Sequence, residues 1–211
     1  MNTLGRIIKT PVDVRQGAEW LAKTEPRFVG LLDQTGPLPL RLKPQGFNAL
    51  LEIIVSQQVS VASADAIRAR MVDAGLTNEA AVCAAGDAGL RAVGLSRPKA
   101  RYALALADAA VDYGGLCQLT NDAVITRLTQ VIGIGPWTAQ IYVMFCMGRA
   151  DMFPPGDLAL QEAAKVLFEL PTRPTPQELD AMAQAWSPWR SVAARALFAY
   201  YRLVKQREGL G

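Results

Sequence analysis

The stretch that decides the fold is LTQVIGIGPWTA, residues 128–139. It reads as the end of one helix, a turn through Gly133, Ile134 and Gly135, and the start of a second helix at Pro136. Proline suits the first position of a helix, where its missing N–H would have had no partner. Glycine permits backbone angles that a Cβ atom forbids. The stretch therefore predicts two helices joined by a tight turn whose amides point outward.

Two interpretations of this turn stay open at this point. Outward amides beside the positive end of a helix form an anion site. Because the turn has no base-reading side chain, such a site would bind a phosphate group and ignore nucleotide sequence. The alternative is an ordinary corner between two helices that ends in a glycine C-cap. Spacing alone does not choose between them.

Composition narrows the classes of protein to which the chain can belong. It has 211 residues, of which 51% are hydrophobic and 19% charged, so a sizeable core can form. This excludes a disordered chain, a coiled coil and a disulfide-stapled mini-protein. The net charge of +3 is compatible with a polyanionic partner.

Two residue types restrict the chemistry further. The chain has no histidine, which excludes a His-ligated metal, a Ser-His-Asp triad and a histidine general base. The spacing of Cys83, Cys117 and Cys146 fits neither a disulfide framework nor a zinc or iron–sulfur site. We therefore expect a reducing, cytoplasmic location.

Neither a targeting signal nor a membrane span is predicted. The N-terminal residues have spread charges and no continuous apolar core of signal-peptide length. Residues 128–148 carry no charge and are long enough to cross a bilayer. However, their Gly-x-Gly-Pro break would leave backbone groups unpaired in lipid.

Helical spacing and Gly/Pro punctuation predict an all-α fold, with no sustained strand alternation. A helix from Phe47 ends at the pair Gln57-Gln58, and Ser60 is predicted to cap the next one. A further helix covers residues 97–113. Residues 1–45 predict one or two helices followed by an extended, proline-rich connection.

In the second half of the chain, caps and prolines mark the helix starts. Asn121 is predicted to cap a helix that runs to Ile132, and the helix from Pro136 is predicted to continue to Gly148. Asp157 opens a helix after Pro-Pro-Gly, and residues 187–188, Ser-Pro, are predicted to start the terminal helix.

Several of these motifs together resemble one known family. The hairpin at 128–139 and the sequence FPPGDL at 153–158 are similar to the helix-hairpin-helix DNA glycosylase superfamily, which is named for that hairpin, a Gly/Pro-rich loop and an aspartate. Three further stretches, IVSQQVSV at 54–61, GLSRPKA at 94–100 and AWSPWRS at 185–191, resemble its DNA-3-methyladenine glycosylase II branch. The resemblance covers roughly residues 45–205.

The resemblance implies a fold of two helical lobes with the lesion pocket between them. Residues 1–211 would form a single helix-hairpin-helix glycosylase unit, with the hairpin at 128–139 and no N-terminal β domain. It implies double-stranded DNA containing alkylated bases as the partner, no cofactor, and a monomer located with the chromosome in a bacterial-type cytoplasm.

The activity that the resemblance implies is monofunctional base excision. Such an enzyme flips out alkylated purines, chiefly 3-methyladenine, hydrolyses the N-glycosidic bond and leaves an abasic site in base excision repair. Asp157 matches the catalytic aspartate, which stabilises positive charge on the sugar. The commoner role of such an aspartate is a helix N-cap, and the two roles can coexist. Trp137 stands where bifunctional relatives carry a lysine, and an indole cannot form their imine.

The resemblance also assigns residues to the pocket and to DNA. The pocket would be lined by Trp137, Ile141, Leu158 and Phe198, with fewer aromatic side chains than in some members. A glutamine from the turn at 57–58 would fill the gap left by the flipped base, and the backbone carbonyls of Ile132 and Ile134 would hold a monovalent cation. The predicted DNA-binding residues are Gln57, Gln58, Gly133, Gly135, Thr138, Lys99 and Arg190.

Two other functions stay open. One is a non-catalytic DNA-binding module that uses the hairpin for phosphate contact. The other is a mismatch or deaminated-base glycosylase on the same scaffold.

Overall fold

The protein is built from helices, as the sequence predicts. The computed structural model describes residues 4–208, which contain twelve α-helices, one 3-10 turn and no strand, and the all-α prediction is confirmed. The helices are α1 (Pro11–Thr24), α2 (Arg27–Thr35), α3 (Phe47–Ser56), α4 (Val61–Asp73), α5 (Glu79–Ala92), α6 (Arg97–Asp108), α7 (Tyr113–Leu116), α8 (Asn121–Leu128), α9 (Pro136–Phe145), α10 (Leu158–Leu167), α11 (Pro176–Ala183) and α12 (Arg190–Glu208).

The chain divides into two compact units. One consists of Lys43–Met147, and the other of Met1–Leu42 together with Gly148–Gly211. The middle of the chain, including the hairpin, thus forms one unit. The two ends of the chain form the other, which contains Asp157.

The unit Lys43–Met147 is organised around α3. This helix packs against α4, α6 and α9, while α5 packs on α6 and α8 on α9. The sequence of α3 is apolar on most of its surface, and Leu50, Leu51, Ile54 and Val55 are all fully or almost fully buried. A helix that is apolar all round is stable only when neighbours cover every face, which explains its central position.

The other unit is organised around the terminal helix α12, which packs against α1, α2 and α10. Gly17 allows α1 to approach closely, because a Cβ atom there would lie 2.6 Å from Val192 Cγ2. The indole of Trp186 is 2% exposed. It packs against the rings of Phe28, Phe153 and Phe168, whose centroids are 5.6, 5.5 and 5.8 Å from its own.

Several predicted helix boundaries are wrong by a few residues. Thr120, not Asn121, caps α8, because its side chain accepts a hydrogen bond from the Ala123 N–H. This helix ends at Leu128 rather than Ile132, since Val131 N–H bonds the Leu128 carbonyl in a tighter turn. The predicted helix over 97–113 is interrupted after Asp108, where Ala110 has a φ of 44°.

The helices that follow also differ at their ends. The helix from Pro136 ends at Phe145 instead of Gly148, whose φ is 68°. The terminal helix begins at Arg190, after a 3-10 turn at Gln184–Trp186 and a cis Ser187–Pro188 peptide bond. The helices α5 and α11 were not assigned from sequence. The prediction for the N-terminal region holds, because α1 and α2 precede a non-helical stretch up to Gly46.

No helix in the described part of the chain is long and apolar enough to span a membrane.

The thiol of Cys146 is expected to resist alkylation while the protein is folded. It is 3% exposed, and burial raises its pKa to about 12, so almost no thiolate forms at pH 8. Cys83 is exposed and serves as the internal control. Mass spectrometry after brief iodoacetamide treatment should find Cys83 modified and Cys146 unmodified, with both modified in urea. Equal labelling of the two in the folded protein would contradict this.

Candidate functional site

The hairpin predicted at 128–139 is present between α8 and α9. Pro136 is the first residue of α9 and Gly135 its N-cap, as the sequence predicts. Within the turn, Ile134 N–H donates to the Val131 carbonyl at 3.0 Å, and Ala139 N–H donates to the Gly135 carbonyl at 3.1 Å. The first amides of α9 have no carbonyl partner within the helix. Pro136 contributes no N–H, and it is the positive end of the helix dipole that suits an anion here.

The two glycines of the turn are required for different reasons. Gly133 has a φ of 92°, which side chains rarely adopt, and a Cβ atom there would overlap the Tyr102 ring. Gly135 has a φ of −87°, which any residue can adopt, and a Cβ atom there would meet nothing within 4 Å. The expectation that both glycines supply unusual backbone angles is therefore wrong for Gly135. Gly135 is exposed, and because it has no side chain, a ligand can approach the backbone of the turn closely.

Gln57 is bonded to the hairpin. Its side-chain amide donates to the Gly133 carbonyl at 3.1 Å and to Thr138 Oγ1 at 2.9 Å. Thr138 is 2% exposed, so its hydroxyl lies inside the unit and not at the surface. Thr138 Oγ1 accepts this internal hydrogen bond from Gln57, and the part of the Thr138 hydroxyl as a donor to a phosphate group stays a prediction.

Gln58 differs from Gln57 in exposure and in backbone conformation. It is exposed, and its φ of 53° places it in the left-handed region. A residue other than glycine adopts this conformation at a cost of about 1–3 kcal/mol, and only where the surrounding structure imposes it. Sequence reasoning could not distinguish the two glutamines. The structure directs Gln57 inward and leaves Gln58 at the tip of the turn.

Lys99 is buried instead of lying at the surface. It is 8% exposed, and its ammonium donates to the Val55 carbonyl at 2.6 Å. Burial lowers its pKa. The Lys99 ammonium thus lies at the C-terminal end of α3, and its part as a supporting charge for DNA stays a prediction.

Arg190 is also committed within the protein. Its guanidinium forms a bidentate ion pair with Asp151, in which Nε donates to Oδ1 at 2.6 Å and Nη2 to Oδ2 at 3.1 Å. The two side chains are 23% and 29% exposed. The ion pair ties the start of α12 to Asp151, and the part of Arg190 as a DNA-binding charge stays a prediction.

Asp157 is the N-cap of α10, as the sequence predicts. Its Oδ1 accepts hydrogen bonds from the Ala159 N–H at 2.9 Å and the Leu160 N–H at 3.3 Å. The side chain is half-buried. Two amide donors and the positive end of α10 stabilise a negative charge at this position. The carboxylate is thus oriented by its own helix.

Two residues that sequence reasoning missed hold the loop before Asp157. Gln161 is 4% exposed and its side-chain amide donates to the Pro155 carbonyl at 2.9 Å. Ser191 is fully buried, and its Oγ lies 2.5 Å from the Arg149 carbonyl and 3.0 Å from the Met152 carbonyl. A glutamine one turn into a helix that begins at an aspartate is a weak sequence signal. Only the fold shows which carbonyl it reaches.

The four predicted pocket residues lie on three helices. Trp137 and Ile141 are four residues apart on α9 and so share one face of it, and both are half-buried. Leu158 is the first residue of α10, beside Asp157, and is 60% exposed. Phe198 is half-buried on α12.

The residues that could hold a metal are few. In the described residues no cluster of three or more His, Cys, Asp or Glu side chains is suited to a metal ion. Of the turn carbonyls, those of Gly133 and Gly135 already accept hydrogen bonds from Gln57 and Ala139. The monovalent-cation site at the carbonyls of Ile132 and Ile134, in the same turn, stays a prediction.

Comparison with known proteins identifies similar chains and folds. Residues 51–190 match the family described as "HhH-GPD superfamily base excision DNA repair protein". DNA-3-methyladenine glycosylase 1 of Schizosaccharomyces pombe is 27% identical over 190 residues, which cover 84% of this chain and 82% of that protein.

Solved structures with the same fold include two with at least 25% sequence identity. One is the 3-methyladenine DNA glycosylase of Schizosaccharomyces pombe in complex with abasic DNA, with a TM-score of 0.78 and 25% identity over 87% of this chain and 95% of that one. The other is a DNA-3-methyladenine glycosidase from Bacillus halodurans, with a TM-score of 0.78 and 27% identity over 95% of this chain and 94% of that one.

Proposed function

Because the chain belongs to the HhH-GPD superfamily of base excision DNA repair proteins, we propose that it is a monofunctional DNA glycosylase that excises alkylated purines, chiefly 3-methyladenine, from double-stranded DNA. The observation that carries this proposal is the carboxylate of Asp157, held by two amides at the start of α10. The similarity to the alkylation-repair enzymes supports the substrate class.

Asp157 acts on the sugar of the damaged nucleotide. As the N-glycosidic bond breaks, the bonding electrons leave with the base and positive charge develops on the sugar. The oriented carboxylate stabilises that charge. Water then adds to the sugar carbon and releases a proton, which completes hydrolysis and leaves an abasic site.

Alkylation explains how a site on a chain without histidine performs this reaction. A purine methylated on a ring nitrogen carries a formal positive charge and leaves as a neutral base. It therefore needs no general acid to protonate it. Neutral lesions lack this advantage, and we expect them to be cleaved more slowly.

The hairpin binds the DNA backbone in this proposal. The backbone of the turn at Gly133 and Gly135, beside the positive end of α9, binds a phosphate group, and the carbonyls of Ile132 and Ile134 hold a monovalent cation. Binding of this kind involves no base edge and is independent of sequence. Gln58, exposed at the tip of its turn, fills the gap left by the extruded base.

Trp137 contributes the recognition of the lesion. An electron-rich indole stacks favourably on an electron-poor, cationic base. Ile141 shares its face of α9 and adds apolar contact. Leu158 and Phe198 remain predicted pocket residues.

The decisive test is release of free base from three duplex substrates: methylated, uracil-containing and mismatched. We expect the wild-type chain to release 3-methyladenine from methylated duplex and little from the other two. Release of uracil or a mismatched base instead would favour the deaminated-base or mismatch alternative. Binding of abasic duplex without any release would favour the non-catalytic DNA-binding module. Gel filtration tests the proposed monomer, and localisation with the chromosome in the cytoplasm is proposed with the same function.

The DNA strand should stay intact after base removal. The residue at the hairpin position is Trp137, whose indole cannot form the imine that strand cleavage requires. End-labelled methylated duplex should therefore break only after alkali, and borohydride should trap no covalent complex. A bifunctional glycosylase run in parallel is the positive control for trapping. A trapped complex with this chain would overturn the monofunctional assignment.

A further inference from the structure

We infer that Gln57 and Lys99 are positioning residues that hold Gln58 in the conformation in which it fills the gap left by an extruded base. This inference rests on the proposed function, since it assumes that Gln58 enters DNA. It assigns a specific task to two residues whose side chains form hydrogen bonds within the protein.

The backbone at Gln58 needs external support. Its φ of 53° lies in the left-handed region, which costs an L residue free energy and persists only where neighbours impose it. Gln57, just before it, is extended with φ −60° and ψ 129°. Ser60, two residues after it, caps α4 by accepting from the Ser63 N–H at 3.2 Å. The strained residue is thus the central point of a short turn between α3 and α4.

Gln57 anchors this turn to the hairpin. Its one amide group bonds both the Gly133 carbonyl and Thr138 Oγ1, across 76 and 81 residues of sequence. Gly133 belongs to the turn that we propose to bind phosphate, and Thr138 to the first turn of α9. The residue before Gln58 is therefore held at a defined distance from the phosphate-binding turn.

Lys99 anchors the end of the helix that leads into the turn. Its ammonium bonds the carbonyl of Val55, two residues before Gln57, across 44 residues of sequence. A positive charge at the C-terminal end of a helix is favourable, because the carbonyls there carry partial negative charge. Lys99 therefore fixes the last turn of α3, from which the Gln57–Gln58 segment emerges.

Both anchors also hold α3 in place, so a purely structural role must be distinguished from positioning. If Gln57 and Lys99 act by positioning, removing either side chain should weaken DNA binding only through its effect on Gln58. Replacing Gln57 in a protein that already lacks the Gln58 side chain should then do no further harm to DNA binding. A purely structural role predicts instead that the fold-losses in affinity of the two single variants multiply in the double variant. A double-mutant cycle separates these cases.

The experiment compares wild type with Gln58→Ala, Gln57→Leu and the double variant. The first measurement is the dissociation constant for duplex containing a tetrahydrofuran abasic site, whose gap Gln58 would occupy. We expect each single variant and the double variant to bind about tenfold more weakly, the effect of losing roughly one good interaction. The second is kcat/KM on methylated duplex and on the same DNA as single strands, where no gap needs filling. The variants should be impaired on duplex alone.

Lys99→Met is tested in the same way and has a matched control. Arg70, an exposed residue, also donates to the carbonyl at a helix end, since its Nε bonds Val93 O at 2.8 Å, but it belongs to the last turn of α4 and not to the Gln57–Gln58 turn. Arg70→Met should therefore bind abasic duplex as wild type does. Lys99→Met should weaken binding severalfold, and less so when Gln58 is already alanine.

The outcomes separate this inference from the proposed function. Suppose that the wild type binds abasic duplex and the double variant binds no more weakly than the single variants, but no base is released. This result would retain the inference and overturn the glycosylase proposal. Base release by wild type with multiplicative losses, or with unchanged binding by Gln57→Leu or Gln58→Ala, would overturn the inference and retain the proposal. Wild-type affinity no higher for abasic than for intact duplex would also overturn the inference.

Discussion

Replacing Asp157 by asparagine is expected to reduce base release from methylated duplex by about 10²–10³-fold or more, the loss typical of removing one preorganised electrostatic group. The fold should be retained, because asparagine caps a helix as well as aspartate does. Its side-chain oxygen can accept from the same Ala159 and Leu160 amides that Asp157 Oδ1 now bonds. Only the negative charge is lost.

The measurement is single-turnover release of 3-methyladenine, together with the dissociation constant for abasic duplex. Affinity should change little, since the hairpin is unaltered. Asp112→Asn is the matched control: Asp112 caps α7 through Gly115 N–H and is not part of the proposed machinery. It should release base at the wild-type rate. If Asp157→Asn kept more than about a tenth of wild-type activity, the catalytic role of its charge would be refuted.

Replacing Gly133 by alanine is expected to be the most destabilising single-methyl change in the hairpin. The new Cβ atom would lie 2.5 Å from the Tyr102 Cβ and closer still to its ring, and the φ of 92° is unfavourable for alanine. Strain at such a backbone angle and overpacking of a core each cost about 1–3 kcal/mol, so the free energy of unfolding should fall by about 3 kcal/mol. Urea denaturation followed by circular dichroism measures this.

Gly135→Ala is the matched control for that experiment. Its Cβ atom would meet nothing within 4 Å, and its φ of −87° is ordinary. Its free energy of unfolding should therefore stay within about 0.5 kcal/mol of wild type. Because the added methyl group would stand where a phosphate is proposed to approach, its affinity for any duplex should nevertheless fall. A large loss of stability in Gly135→Ala, or none in Gly133→Ala, would contradict the assignment of the two glycines.

Gly135 and Ser191 illustrate how far sequence reasoning reaches. The sequence shows a glycine at 135 but not its backbone angle, which depends on how α9 begins. Ser191 lies in the AWSPWRS stretch that carries part of the family resemblance, but nothing local indicates that its hydroxyl approaches the carbonyls of Arg149 and Met152. A motif can thus be identified without knowing what each of its members does.

Lys99 and Arg190 have internal partners that the sequence does not show. A charged residue in a motif favours a solvent-exposed, phosphate-binding role, because isolated charges are rarely buried. Whether a charge has an internal partner depends on residues far away along the chain. The partners are the Val55 carbonyl for Lys99 and Asp151 for Arg190.

What the sequence determined by itself is local in origin. Prolines at first helical positions, capping side chains and apolar spacing act within one or two helical turns, so they predicted the all-α fold, the hairpin and Asp157 as the start of α10. What only the tertiary structure decided depends on hydrogen bonds between distant segments. Gln57 and Gln58 are chemically identical neighbours, and bonds across 76 and 81 residues direct the first inward and leave the second exposed. No local pattern encodes which partner such a side chain will find.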